Sequence, residues 1–276
     1  MQQALQSALR VLLLPLLATA AMATQAHAQD TEGVIDKAMT GSHRPDANKA
    51  RDKYRHPKET LLFFGLKPNM TVVEITPGAG WYTEILAPVM RWGIYYAAIS
   101  RVTEQSSDVQ RANDKNFRAK LSGDADLYGN VQLSVFAPNA VQVAPAGSAD
   151  MVLTFRNVHN WAKAGTVDAM FKAFYDALKT GGVLGVVEHR ARPGTTFERQ
   201  IDSGYMTEAY VTDTAQKAGF KLDNKSDINA NPRDTADYPG GVWTLPPTLR
   251  NVSDAEKPKY LAIGESDRMT LKFVKP

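Results

Sequence analysis

Two polar clusters hold the side chains best suited to chemistry: Arg156-Asn157-Val158-His159-Asn160-Trp161 and Glu188-His189-Arg190. Imidazole titrates near neutral pH, so His159 and His189 are candidate general bases for a hydroxyl nucleophile. Each has a competing reading as a hydrogen-bonded loop histidine. Glu188 and Asn157 are polar candidates in the same catalytic group. Arg156 and Arg190 offer planar forks for a carboxylate or phosphate, or else they pair with Glu74 and Glu188. Two imidazoles and the Glu188 carboxylate could also hold a metal. Their spacing matches no metal signature, and no metal is assigned.

A third stretch, Val72-Val73-Glu74-Ile75-Thr76-Pro77-Gly78-Ala79-Gly80-Trp81-Tyr82, says where a ligand would sit. An apolar run carries an acid and ends in a tight glycine turn, and an amphipathic stretch then opens with Thr83 and Glu84. This is the strand–turn–helix of a nucleotide-binding α/β unit. Gly78 and Gly80 let the backbone bend and approach a ligand, and the helix start supplies free N–H groups. Glu74 either orders the loop or reaches the ligand. Trp81, Tyr82 and Trp161 either stack on a base or belong to the core.

The elements that must position these groups follow from periodicity. Strands are expected over Thr71–Thr76, Ile94–Ile99, Val131–Phe136, Asp150–Phe155, Val183–Val187, from Phe220, and over Arg268–Val274. Ile85, Val89 and Trp92 recur at helical spacing, and residues 103–120 read as helical. Val167, Met170, Phe171, Phe174 and Leu178 mark an amphipathic helix closed by Lys179-Thr180-Gly181-Gly182. One further helix is expected over Gly204–Lys217. Alternating strands and helices mean an α/β fold, with a doubly wound, mostly parallel sheet of seven strands. The last strand is expected to be antiparallel and at an edge. Residues 224–267, rich in Asn, Asp and Pro, read as a long loop with a short helix near Ala255–Tyr260. In such a sheet ligands bind beyond the carboxyl ends of the strands. That edge should carry Glu74–Trp81, Arg156–Trp161 and Glu188–Arg190 together.

Three of these motifs, in this order, resemble those of the class I S-adenosylmethionine-dependent methyltransferases. Glu74–Gly80 looks like the family's acid-x-Gly-x-Gly-x-Gly loop, Leu178–Gly182 is similar to the turn before its fifth strand, and Ala218-Gly219-Phe220 resembles the start of its sixth. The resemblance is closest to an exported bacterial branch that shares Tyr54-Arg55-His56-Pro57 and both polar clusters. It implies a Rossmann-like methyltransferase fold, S-adenosylmethionine as cofactor and a small-molecule acceptor. The implied cofactor residues are Glu74, Thr76, Gly78, Gly80, Trp81 and Ser100; the implied catalytic residues are His159, His189, Glu188, Arg156 and Asn157. The chain departs from the family in having Thr76-Pro77 where the first glycine stands. At the end of the second strand it has Ser100 where a ribose-binding acid is usual; such a charge-assisted bond is worth about 1.5–3 kcal/mol. A binding protein on this scaffold and a metal-assisted hydrolase are the competing readings.

Arg10, the apolar run Val11–Ala18 and the small residues around Ala26-His27-Ala28 read as a cleavable leader over residues 1–28 of the 276-residue chain. The expected location is the periplasm. Residues 29–56 are expected as an arm or lid and 57–276 as a single domain. No later stretch could span a bilayer. A net charge of +3, including Arg10, gives no basis for nucleic-acid binding. The absence of cysteine excludes disulfides, a thiol nucleophile and thiolate metal sites. Oligomeric state is not readable.

Overall fold

The computed structural model describes residues 31–137 and 140–276. The expected leader, residues 1–28, lies outside the described residues. Seven strands form one sheet: β1 Thr71–Ile75, β2 Ile94–Ser100, β3 Val131–Phe136, β4 Ala149–Phe155, β5 Leu178–His189, β6 Lys221–Ser226 and β7 Arg268–Val274. Their spatial order is β3-β2-β1-β4-β5-β7-β6. The first five are parallel, and β7 runs antiparallel to both its neighbours.

The central strands are apolar throughout because helices cover both sheet faces. Val73, Val152 and Val186 face one core with Phe171 and Phe174. Val72, Met151 and Leu153 face the other with Leu61, Ile85 and Phe117. β7 is not the edge strand that its place in the sequence suggested. Met269, Leu271 and Phe273 are fully buried, and the strand inserts between β5 and β6. The polar, exposed β6 takes the edge instead, where water can face it.

Three other expectations are corrected. Gly204, in the left-handed region at φ 73°, ends an additional helix, Phe197–Ser203, and the helix expected from Gly204 starts only at Glu208 and runs to Lys217. The Thr207 hydroxyl caps the second piece by accepting from Tyr210 N–H. Trp92 is 79% exposed, because tighter 3-10 winding over Met90–Trp92 rotates it off the buried face. Lys179–Gly182 does not cap the preceding helix, which ends at Ala177. These residues lie within β5, where Gly181 N–H donates to Lys275 O and the pairing with β4 shifts register.

The N-terminal arm is part of the folded body. Ile35 and Ala38 of the helix over 31–40 enter the core. Arg44 grips Asp52 through two 2.8 Å bonds. Glu84 is buried and accepts from Asn48 Nδ2 at 2.9 and 3.0 Å and from Lys120, so it ties the arm to the helix Thr83–Val89. The polar stretch 227–267 is likewise ordered. Its asparagines act as ties: Asn229 donates to Thr60 and Thr270, and Asn231 donates to the carbonyls of Ile263 and Glu265. This segment carries a 3-10 turn, Gly241–Thr244, and a helix, Lys257–Ile263. Arm and segment together roof the carboxyl edge of the sheet.

Candidate active site

Strand register brings the polar clusters into one row. Ile75 pairs with Thr154, Phe155 with Val187 and His189 with Arg268. Thr76, Arg156 and Glu188-His189 therefore leave adjacent strand ends. β1 stops at Ile75, one residue earlier than expected, because Thr76 has φ 51°. Arg156 has φ 61° at the end of β4. A left-handed β-branched residue is a strained one, and such strain gathers at functional sites.

The glycine loop opens on one cavity of about 110 Å³, lined by Thr76, Gly78, Ser100, Gln110, Asp114 and Phe117. A Cβ on Gly78 would meet nothing within 4 Å, so Gly78 leaves its backbone open toward this space. Gly80 is constrained by the turn and by packing: its φ is 82°, and a Cβ there would come to 3.0 Å from the Phe117 ring. Thr76 Oγ1 is buried without a hydrogen-bond partner, an orphan a ligand could satisfy. Ser100 is exposed on the opposite wall. The helix Asp108–Gly123 brings Gln110 and Asp114 to this cavity, where Arg118 Nε donates to both Asp114 oxygens at 3.1 and 2.9 Å.

Glu74 sits beneath the loop, 2% exposed. It accepts from Thr83 Oγ1 at 2.8 Å and from Tyr95 Oη. Burial lifts its carboxyl to about 7, against the pull of these two hydroxyls. It orders the loop-to-helix junction. Trp81 is committed to the arm: its indole N–H donates to Asn48 O, and its ring lies under Arg44 and Arg55, 5.2 and 4.5 Å from their guanidinium carbons. Tyr82 stacks on Phe155, and Trp161 packs against Phe174 in the core.

A second cavity, about 230 Å³, runs from Thr76 and Trp81 to Arg156, and a third, about 360 Å³, from Arg156 to His159, His189 and Trp243. Arg51, Arg55 and Arg156 line both.

In the third cavity the histidines are oriented by different partners. Glu188 is fully buried. Its Oε2 accepts from Val158 N–H and His159 N–H at 2.6 and 3.3 Å. Its Oε1 accepts from His189 N–H at 2.8 Å and from His159 Nδ1 at 3.0 Å. A carboxylate accepts only, so the His159 proton sits on Nδ1 and the lone pair on Nε2. His189 Nδ1 lies 2.6 Å from Ser266 Oγ, and burial, then His159 and Arg156, push its pKa well below 6.5. The rings are 5.4 Å apart.

The structure thus brings His159, His189, Glu188 and Arg156 together. Ligand atoms of His159, Glu188 and His189 lie within 4.8 Å of one another. Four donors already occupy Glu188, which makes it the positioner of His159 and a poor metal ligand. Asn157 is also spent: its amide donates to Ile75 O at 3.1 Å and Thr154 Oγ1 at 3.3 Å, locking β1 to β4. Arg190 is not in the site. It is forked onto Asp267 at 2.9 Å and bonded to Asp227 and Glu208.

Arg51, Glu265, Ser266 and Trp243 are not singled out by the sequence, and Arg55 stands out there only in the Tyr54–Pro57 motif of the expected arm. Arg51 and Arg55 are four apart on the arm, one helical turn, and that spacing was the available signal. Both reach Glu265, at 2.6 and 3.0 Å. These arginines, with Arg268, hold the Glu265 carboxyl at about 2 against its burial.

No family model matches the chain, and no curated protein matches it. Solved structures do. A S-adenosylmethionine-dependent methyltransferase from Aquifex aeolicus superposes with a TM-score of 0.53 at 16% identity, covering 82% of this chain and 93% of that one. The [4+2]-cyclase SpnF superposes at 0.55 and 15% identity, covering 80% of each chain. The chain has the Rossmann-like fold of the S-adenosylmethionine-dependent methyltransferases.

Proposed function

We propose that this protein transfers a methyl group from S-adenosylmethionine to a small-molecule acceptor. The observation that carries the reading is the join at Arg156: a glycine-loop cavity on one side, and on the other a cavity holding an imidazole whose free Nε2 is fixed by a buried carboxylate. The residues suit the cofactor at three points. Thr76 Oγ1 is an orphaned polar atom, Gly78 leaves its backbone open, and Ser100, Gln110 and Asp114 provide hydrogen-bonding groups for ribose hydroxyls. Bound there, S-adenosylmethionine would supply a methyl group activated by its sulfonium.

The chain's own task is then positioning and proton removal. His159 Nε2 takes the acceptor's proton, and Glu188 stabilises the imidazolium that forms. Neutral His189, held by Ser266, is a second acceptor of a hydrogen bond. Roofing by the arm and by residues 227–267 excludes water, and holding the acceptor in line supplies much of the rate. Deuterium exchange tests the reading: S-adenosylhomocysteine should slow exchange across 76–82 and 100–114. Unchanged exchange in both segments would count against it.

A second reading is that the scaffold performs other chemistry. It is favoured by the strained Thr76-Pro77 entry to the loop and by the likeness to a cyclase, since fold does not fix function. Cofactor-dependent methylation of any acceptor excludes it. We propose, from the leader expected over residues 1–28, that the protein is exported; amino-terminal sequencing of the chain from its native host should start at Gln29, and a cytoplasmic chain starting at Met1 contradicts this.

A further inference from the structure

We propose that the acceptor taken by the His159 cavity is an anion, a small carboxylate or phosphate monoester, held by Arg156 and the free Nη1 of Arg55. This names the substrate class of the function proposed above and rests on it.

The observation is a charge imbalance in a buried wall. Arg51, Arg55 and Arg268 all converge on Glu265, at 2.6, 3.0 and 3.2 Å. Arg55, Arg268 and Glu265 are each at most 4% exposed. Arg156 stands beside them and makes no side-chain hydrogen bond or ion pair among the described residues; its pKa falls to about 10 through burial and then the repulsion of Arg268. Three guanidinium groups therefore share one carboxylate, and the half-buried Arg156 beside them has none. One bonding position is open even within the cluster, because Arg55 Nη1 is buried with no partner.

Burying uncompensated charge is costly, and a fold tolerates it where a ligand brings the opposite charge. The cofactor's carboxylate could meet one arginine, but its total charge leaves the imbalance in place. S-adenosylmethionine carries one carboxylate against an ammonium and a sulfonium, so it adds a net positive charge next to this wall. A co-bound anion removes the imbalance. Guanidinium is the group suited to this, since its planar fork meets carboxylate or phosphate bidentately. The same cavity is also lined by Trp243, Pro246 and Pro247, apolar surface for the body of the same ligand. An acceptor with an anionic end, an apolar middle and a proton-bearing nucleophile toward His159 would match all three walls.

Calorimetry on the mature chain tests this with inorganic phosphate and succinate as probes and neutral succinamide as control, each with and without S-adenosylhomocysteine. Succinate or phosphate should bind and succinamide should not, and which anion binds tighter separates the carboxylate source from the phosphate one. Arg156→Gln should weaken the anion tenfold or more while leaving S-adenosylhomocysteine within twofold, and should not lower the melting temperature. The proposal is overturned by silence of both anions at millimolar concentration and low salt. It is also overturned if Arg156→Gln weakens only S-adenosylhomocysteine, since the arginine then serves the cofactor carboxylate. Anion binding without S-adenosylhomocysteine binding would sink the methyltransferase reading and leave the anion site standing.

Discussion

Replacing Glu188 by glutamine tests the orientation of His159 with almost no change of shape. The carboxylate accepts four hydrogen bonds, two on each oxygen. Glutamine keeps one oxygen and turns the other into a donor. If the amide nitrogen took the Oε2 position, it would confront two backbone N–H groups that cannot reverse. On the Oε1 side it confronts the His189 N–H and the His159 ring, and the ring can adapt. The variant should therefore place its amide nitrogen toward His159 and force the imidazole proton from Nδ1 to Nε2. The energetic cost is one stranded backbone donor plus the lost charge assistance, about 2–4 kcal/mol together. For a domain of this size that lowers the melting temperature by roughly 5–15 °C. Nitrogen-15 chemical shifts of labelled histidine report the tautomer directly. With the Nε2 lone pair gone, methylation of a hydroxyl acceptor should slow about 10²–10⁴-fold. A variant that melts where the wild type does and keeps the Nδ1-H tautomer would refute the positioning role of Glu188.

Glu74 makes stability depend on pH in a definite direction. Its folded pKa of about 7 lies above the ordinary 4.5, so its stabilisation is full below 4.5 and is lost as pH rises through 7. The stability gap between wild type and Glu74→Gln should shift by about 3 kcal/mol in the variant's favour from pH 4 to pH 8, as read by urea unfolding; a gap independent of pH rejects the buried, neutral carboxyl. Thr76→Gly removes a β-branched residue from φ 51°, offset by a floppier unfolded chain. It should raise stability by up to about 1 kcal/mol yet weaken S-adenosylhomocysteine, because Oγ1 goes with it. Loss of stability with unchanged affinity would show that Thr76 serves the fold alone.

The sheet was legible because its strands state their burial: Val72, Val73, Val152 and Val186 form continuous apolar runs, and only a covered parallel sheet accepts those. The row of His159, Glu188 and Arg156 was legible for the same reason, since topology fixes which strand ends are neighbours. Two kinds of error remain. Local periodicity cannot see an insertion in space, so β7 was expected at the edge it does not occupy. It also cannot say which polar groups will be used up by one another. Asn157, Arg190 and Trp81 looked available and are tied to Ile75, Asp267 and Asn48. The arm and the 227–267 segment concealed the rest. Arg51, Arg55 and Glu265 meet across 210 residues and more of sequence, a long-range pairing that composition does not encode.

The central claim is that the loop at Thr76–Gly80 and the wall at Ser100 and Asp114 form a S-adenosylmethionine site. Titration calorimetry of the protein with S-adenosylhomocysteine tests it most directly. One molecule should bind per chain with a dissociation constant in the micromolar range, and Asp114→Ala should weaken it about tenfold or more, the value of one charge-assisted bond to a ribose hydroxyl. No heat of binding at millimolar ligand, from a chain that is folded by its melting transition, would contradict the account.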